Sequence, residues 1–174
     1  MKKFFITIVA ATFAFAAFAE TPEQIQKGSI LIETVVIGET IGADNTSMGL
    51  RFTNGVAFGF SGTGGYFIMD KLAGLGKIGL SAQSGWTQFN FSLGGRYYPL
   101  TLWKGSLFGD FLFNLATGGG NGRSETVVGI TINAGYAFFL NRHVSVEPLM
   151  YLDIPFKKGH KVNLGIGAAI SIYL

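Results

Sequence analysis

The chain has 174 residues, enough for one domain, of which 48% are hydrophobic and only 13% charged, with 26 glycines and 17 phenylalanines. Soluble domains carry about 25% charged residues, so an ordinary water-soluble globule fits this composition poorly. Cysteine is absent, which excludes disulfide staples and thiol chemistry, and Lys2 and Lys3 take two of the 13 basic residues, leaving 11 against 10 acidic ones, too even a balance for a nucleic-acid binder.

The N-terminus reads as a secretory signal peptide over residues 1–19. Met1-Lys2-Lys3 is a basic n-region, Phe4 to Phe18 is apolar, Ala17-Phe18-Ala19 is a small-residue cleavage site, and a polar run from Glu20 to Gln24 follows. The apolar stretch is too short, and its end too rich in small residues, to favour an uncleaved anchor. Residues 20–27 then form a short periplasmic N-terminal segment and 28–174 the folded domain. Past the leader no apolar run approaches the ~20 residues of a spanning helix. An exported, apolar chain without such a helix points to an all-β protein, a transmembrane β-barrel.

Barrel strands place apolar residues at every second position, with polar or small residues between them. In chain order, Ser29–Ile37 sets Ile30, Ile32, Thr34 and Val36 against Ser29 and Glu33. Val56–Ile68 sets Phe58, Phe60, Tyr66 and Ile68 against Ser61 and Thr63. Leu72–Ala82 opposes Ile78 and Leu80 to Lys77 and Ser81; Thr87–Tyr97 opposes Phe89, Phe91, Leu93 and Tyr97 to Gln88, Asn90, Ser92 and Arg96. Trp103–Leu115 opposes Leu107, Phe111, Phe113 and Leu115 to Lys104, Ser106, Asp110 and Asn114. Thr126–Phe138 and Val162–Leu174 alternate most cleanly, and Val144–Ile154 sets Val146, Met150 and Leu152 against Ser145, Glu147, Tyr151 and Asp153. These are eight segments, each long enough for the ~9–11 residues of a tilted membrane strand.

Short turns are expected at Met69–Lys71, Pro99–Leu102 and Leu140–His143. Longer polar or Gly-rich connections are expected at Gly38–Asn54, Gln83–Trp86, Ala116–Glu125 and Pro155–His160, with boundaries least defined over 38–55. Short turns on one side and longer loops on the other match the bacterial outer-membrane pattern, with both termini on the periplasmic side. Aromatics beside the short turns (Tyr66, Phe67, Tyr97, Tyr98, Trp103, Phe138, Phe139) would form the periplasmic girdle, with Tyr66, Tyr97, Trp103 and Phe138 its main members.

The stretches GYFIMDKLAGLG (65–76), GGRYYPL (94–100), GYAFFLNRHVSVEP (135–148) and the closing strand resemble the small eight-stranded outer-membrane barrels of the OmpA/OmpX type. That resemblance implies an eight-stranded antiparallel up-and-down barrel in the bacterial outer membrane, in contact with lipid and lipopolysaccharide. It also implies delivery to the barrel-assembly machinery through the C-terminal strand. Such barrels usually end in Phe or Trp, whereas this chain ends in Leu174 after Ile172 and Ile170.

Candidate site residues fall on the small or polar face: Glu33, Lys77, Arg96, Lys104, Asp110, Glu147 and Asp153. Charges in so narrow an interior must pair or stay hydrated, and an eight-strand lumen holds side chains rather than a wide channel. Core pairs are expected between Arg96 or Lys77 and Glu33, Glu147 or Asp110. A plugging polar core is one reading; a narrow ion or solute path gated by a rearranging pair is the other. Lys157, Lys158 and His160 form a small basic patch suited to lipopolysaccharide phosphates.

His143, Ser145 and Glu147 have the spacing of a hydrolase trio, which raises a lipid A-modifying enzyme. His143, however, falls in a periplasmic turn, away from an outer-leaflet substrate. The Gly-rich 117–122 stretch lacks a phosphate-loop spacing and reads as a mobile tip. The two glycosylation-type sequons, Asn45-Thr46-Ser47 and Asn90-Phe91-Ser92, carry little weight in a bacterial outer membrane. No cofactor or metal set is expected. The leading expectation is therefore a non-enzymatic outer-membrane barrel, envelope-structural, with surface loops for adhesion or contact. A soluble lipocalin-like barrel would turn its charges outward, and too few are present to cover such a surface.

Overall fold

The computed structural model describes residues 22–40, 49–51, 57–83, 85–120 and 122–174. The leader, the Asn45-Thr46-Ser47 sequon and most of the 38–55 connection lie outside them.

Strands follow one another as β1 (Ile30–Thr40), β2 (Gly49–Arg51), β3 (Ala57–Met69), β4 (Leu72–Gln83), β5 (Trp86–Leu102), β6 (Gly105–Gly120), β7 (Arg123–Phe139), β8 (Val144–Pro155) and β9 (Asn163–Tyr173). Every paired neighbour is antiparallel. The sheet runs β1-β9-β8-β7-β6-β5-β4-β3 and closes on itself where β1 pairs with β3, from Ile30↔Tyr66 to Glu33↔Thr63. β2 only extends the outer end of β3, pairing Leu50 with Phe58. The result is an eight-stranded up-and-down barrel with no free edge along its closed part, the architecture that satisfies every backbone group in lipid.

The period-two pattern decides the two faces. Outward positions include Ile32, Phe60, Ile78, Leu80, Phe91, Leu93, Phe111, Phe113, Ile132, Met150, Ile166 and Ile170, all exposed large apolar side chains. Among the described strand side chains, none that points outward is Asp, Glu, Lys or Arg. Charged and polar residues are buried instead: Glu33, Ser61, Thr63, Ser92, Arg96, Asp110, Ser145, Glu147 and Ser171. This inversion of the soluble pattern is what lipid as solvent demands.

Two expectations are corrected at the outer end. The stretch Ala116–Glu125 is not a loop: β6 runs to Gly120 and pairs Thr117, Gly118 and Gly119 with Thr126, Glu125 and Ser124. The pairing closes with Gly120 opposite Arg123, and Gly122 takes φ +74°, a left-handed conformation that glycine adopts without strain. Between β4 and β5 only residues 84–85 intervene. Glycine leaves no side-chain period to read, so a strand end there resembles a loop in sequence. β5, β6 and β7, at 17, 16 and 17 residues, therefore exceed the ~9–11 needed to span and project past the membrane.

A third correction lies at the inner end. Phe67, Tyr98 and Phe139 do not join the girdle. Phe67 and Tyr98 are fully buried in the lumen, and Phe139 packs against the same buried cluster through Tyr173. Tyr97 faces lipid with Leu93 and Tyr98 faces inward with Arg96, as period-two spacing gives, and the register shift between Tyr97 and Leu100 changes the alternation only beyond them. Tyr66, Tyr97, Trp103 and Phe138 are on the outer side at this end, with Phe138 half-buried.

Candidate functional site

The lumen has three storeys. The lowest is apolar. Phe67 meets Tyr98 and Tyr173 at ring-centroid distances of 5.8 and 6.4 Å, Phe139 meets Tyr173 at 5.4 Å, and Tyr98 meets Phe108 at 6.0 Å. Beneath them the N-terminal segment folds across the mouth. Its 3-10 turn, Glu23–Ile25, inserts Ile25 until that side chain is wholly buried. The Lys71 amide donates to the Ile25 carbonyl at 2.8 Å, the Lys27 amide to Asp70 Oδ1 at 2.8 Å and Gln24 Nε2 to the Asn141 carbonyl at 3.3 Å. A segment that reads as a polar periplasmic tail is thus a stopper. Its only sequence signal is one apolar residue in a polar run.

The middle storey is a charge cluster. β5 carries Arg96 to the centre of the barrel, where its neighbours come from β1, β6 and β8. Nε donates to Asp110 Oδ1 at 2.6 Å and Nη2 to Asp110 Oδ2 at 2.9 Å; Nη1 donates to Glu147 Oε2 at 2.8 Å. Nη2 also lies 2.7 Å from Glu33 Oε2. The guanidinium sits 4.1 Å above the Phe108 ring centroid. The carboxylates have further donors: Ser145 Oγ at 2.6 Å and the Tyr173 hydroxyl at 2.7 Å to Glu147, Asn133 Nδ2 at 2.9 Å to Asp110, and Ser171 Oγ at 3.4 Å to Glu33. Tyr98 and Tyr173 share a hydroxyl contact of 3.1 Å, which ties the cluster to the aromatic storey below. Burying one such ion costs several kcal/mol. A guanidinium is the cation able to reach three carboxylates at once, with its donors in a fixed fork.

The upper storey is a polar cavity of about 330 Å³, open at the outer end, whose walls include Lys77, Asn90, Asn114, Tyr151 and Asp153 and whose floor is Glu33 and Asp110. Thr131 links two walls, accepting from Asn114 and donating to Asp153. The lumen is therefore a blind cup, open outside and stopped inside.

Of the residues singled out from the sequence, Glu33, Arg96, Asp110 and Glu147 come together in one cluster. Lys77 and Asp153 line the cup above it. Lys104 does not join them. It is exposed in the two-residue turn between β5 and β6, where alternation has already ended. His143 and Ser145 are engaged separately: His143 Nδ1 lies 3.0 Å from the Tyr173 carbonyl, and Ser145 is buried on Glu147. Lys157 Nζ and His160 Nε2 both bind Glu125 Oε1, at 2.7 and 3.0 Å, folding the 156–162 loop onto the projecting end of β7. Lys158 is exposed and forms no ion pair among the described residues.

No family model matches the sequence, and no curated protein matches it. Solved structures do. The N-terminal β-barrel domain of Pseudomonas aeruginosa OprF superposes with a TM-score of 0.59 at 14% identity, over 85% of this chain and 98% of that one. Neisserial surface protein A superposes with a TM-score of 0.56 at 13% identity, over 84% and 97%. The fold is that of the small eight-stranded outer-membrane barrels. The outer face is apolar and, among the described strand side chains, free of Asp, Glu, Lys and Arg, so the fold and its surface are those of an integral membrane barrel surrounded by lipid.

Proposed function

We propose that this protein is a non-enzymatic, structural component of the outer membrane that passes no solute from one side to the other. One observation carries the reading. Arg96 is held by carboxylates from three other strands directly above a sealed aromatic layer, so two different barriers close the same narrow lumen. Contact with the surroundings falls to the strand ends of β5–β7 and to the 156–162 loop, because two outer connections are tight turns. There Lys157, Lys158 and His160 meet lipopolysaccharide phosphates, and β9 with Leu174 presents the segment read by the barrel-assembly machinery.

Planar-bilayer recording on the purified, refolded barrel tests the proposal. It predicts a silent bilayer. Stepwise conductance that vanishes on changing Arg96 or Glu147 would replace it with the second reading, a narrow channel gated by that cluster. The cup favours this reading in one respect: water already reaches Glu33 and Asp110 from outside, so only the cluster and the layer below it would have to move.

A further inference from the structure

A second pocket, of about 360 Å³, opens at the inner rim between the β5–β6 turn and the β7–β8 turn, with the N-terminal segment as its third wall. Lys104 and Arg142 line it, together with Trp103, Phe139, Gln24 and Asn141. Neither Lys104 nor Arg142 forms an ion pair among the described residues, and both are exposed. Two cations thus flank one concavity with no anion supplied by the described chain.

Trp103 adds an independent observation. It is 89% exposed and takes φ +56° at the first position of a two-residue hairpin, where glycine is the usual occupant. A bulky residue held in the left-handed region is strained, and such strain persists where the side chain has a task. The depth of the pocket indicates that task. Tyr136 lies against Gly105 and donates its hydroxyl to the Leu102 carbonyl at 2.6 Å, beside outward Phe138, so the hairpin sits at the aromatic belt that marks the head-group level.

We infer that this inner-rim pocket binds the phosphate of an anionic phospholipid of the periplasmic leaflet, with Lys104 and Arg142 as its charge partners and Trp103 as the interfacial wall. Acyl chains would then continue up the apolar outer face past Tyr136 and Phe138. The site shares Phe139 with the aromatic layer of the lumen but does not rest on whether the barrel conducts.

Native mass spectrometry of the full barrel, with phosphatidylglycerol or phosphatidylethanolamine of identical chains, tests the assignment. The wild type should retain phosphatidylglycerol about tenfold better, since each surface cation contributes on the order of a fewfold in affinity. Lys104→Gln with Arg142→Gln should remove that preference, whereas Lys157→Gln with Lys158→Gln at the outer end should keep it. Trp103→Gly should relieve the backbone, holding or raising the unfolding temperature, yet weaken phosphatidylglycerol retention. Equal retention of the two lipids by the wild type, or an undiminished preference in the Lys104/Arg142 variant, would overturn the proposal.

Discussion

Arg96 and Asp110 stand directly opposite each other in the β5–β6 register and are joined by two hydrogen bonds, 2.6 Å from Nε and 2.9 Å from Nη2. The fork geometry leaves Nη1 for Glu147 and lets Nη2 also reach Glu33, so one side chain ties four strands together. Removing it would leave three carboxylates in a narrow interior.

Arg96→Met should therefore destabilise the barrel by about 3–5 kcal/mol, as breaking a buried pair does. Arg96→Lys should rescue little of this, because an ammonium cannot serve the bidentate partner and two more. Urea unfolding in detergent, followed by loss of the heat-modifiable band on SDS gels, measures both. Equal stability of Arg96→Lys and wild type would show that charge alone is needed.

Tyr173 donates to Glu147 at 2.7 Å while contacting the Tyr98 hydroxyl. Tyr173→Phe keeps the ring contacts with Phe67 and Phe139 and removes only the hydroxyl. A loss of about 1.5–3 kcal/mol is expected, the range for a hydrogen bond to a charged group. In a Glu147→Gln background the same change should have a smaller effect, read by the same unfolding titration as a double-mutant cycle.

Gly94 and Gly64 make a contrasting pair. A Cβ at Gly94 would lie 1.9 Å from the Phe111 carbonyl oxygen, whereas one at Gly64 would meet nothing within 4 Å. Gly94→Ala should separate β5 from β6 locally and cost about 1–3 kcal/mol or more; Gly64→Ala should be close to neutral. Refolding yields of the two variants, compared side by side, check this.

Much of this architecture was readable as parity. Eight alternating segments, and the inward placement of Glu33, Arg96, Asp110 and Glu147, follow from counting every second residue. Parity failed where its premise failed. The bulge after Tyr97 brings Leu100 opposite outward Leu107, against the parity of Arg96 and Tyr98, and the glycines at 118–120 carry no hydropathy. Lys104 lies past the end of its strand. Ile25 is a contact distant in sequence, made with the β3–β4 turn, and no local pattern announces it.

At the outer end, hydrogen bonds from Lys157 and His160 hold the Glu125 carboxyl below its ordinary value of 4.5. A depressed carboxylate pKa supports the docked loop above that ordinary value, and the support is lost as pH falls through the lowered one. The Glu125 titration, followed by NMR, should have its midpoint below 4.5 and should move up towards the ordinary value in Lys157→Ala. An unchanged midpoint in that variant would mean the loop contact is not formed in solution.

The lumen is a cup open outside and sealed inside, and the absence of cysteine from the chain allows a direct test. Single cysteines would be placed at Asn114→Cys, in the upper cavity, and at Ala137→Cys, in the buried apolar layer below Arg96. Each would be exposed on intact cells to a small membrane-impermeant thiol reagent. Rapid labelling is expected at position 114 and none at 137. Labelling of both at similar rates would mean that water runs through the barrel and that the floor is not closed.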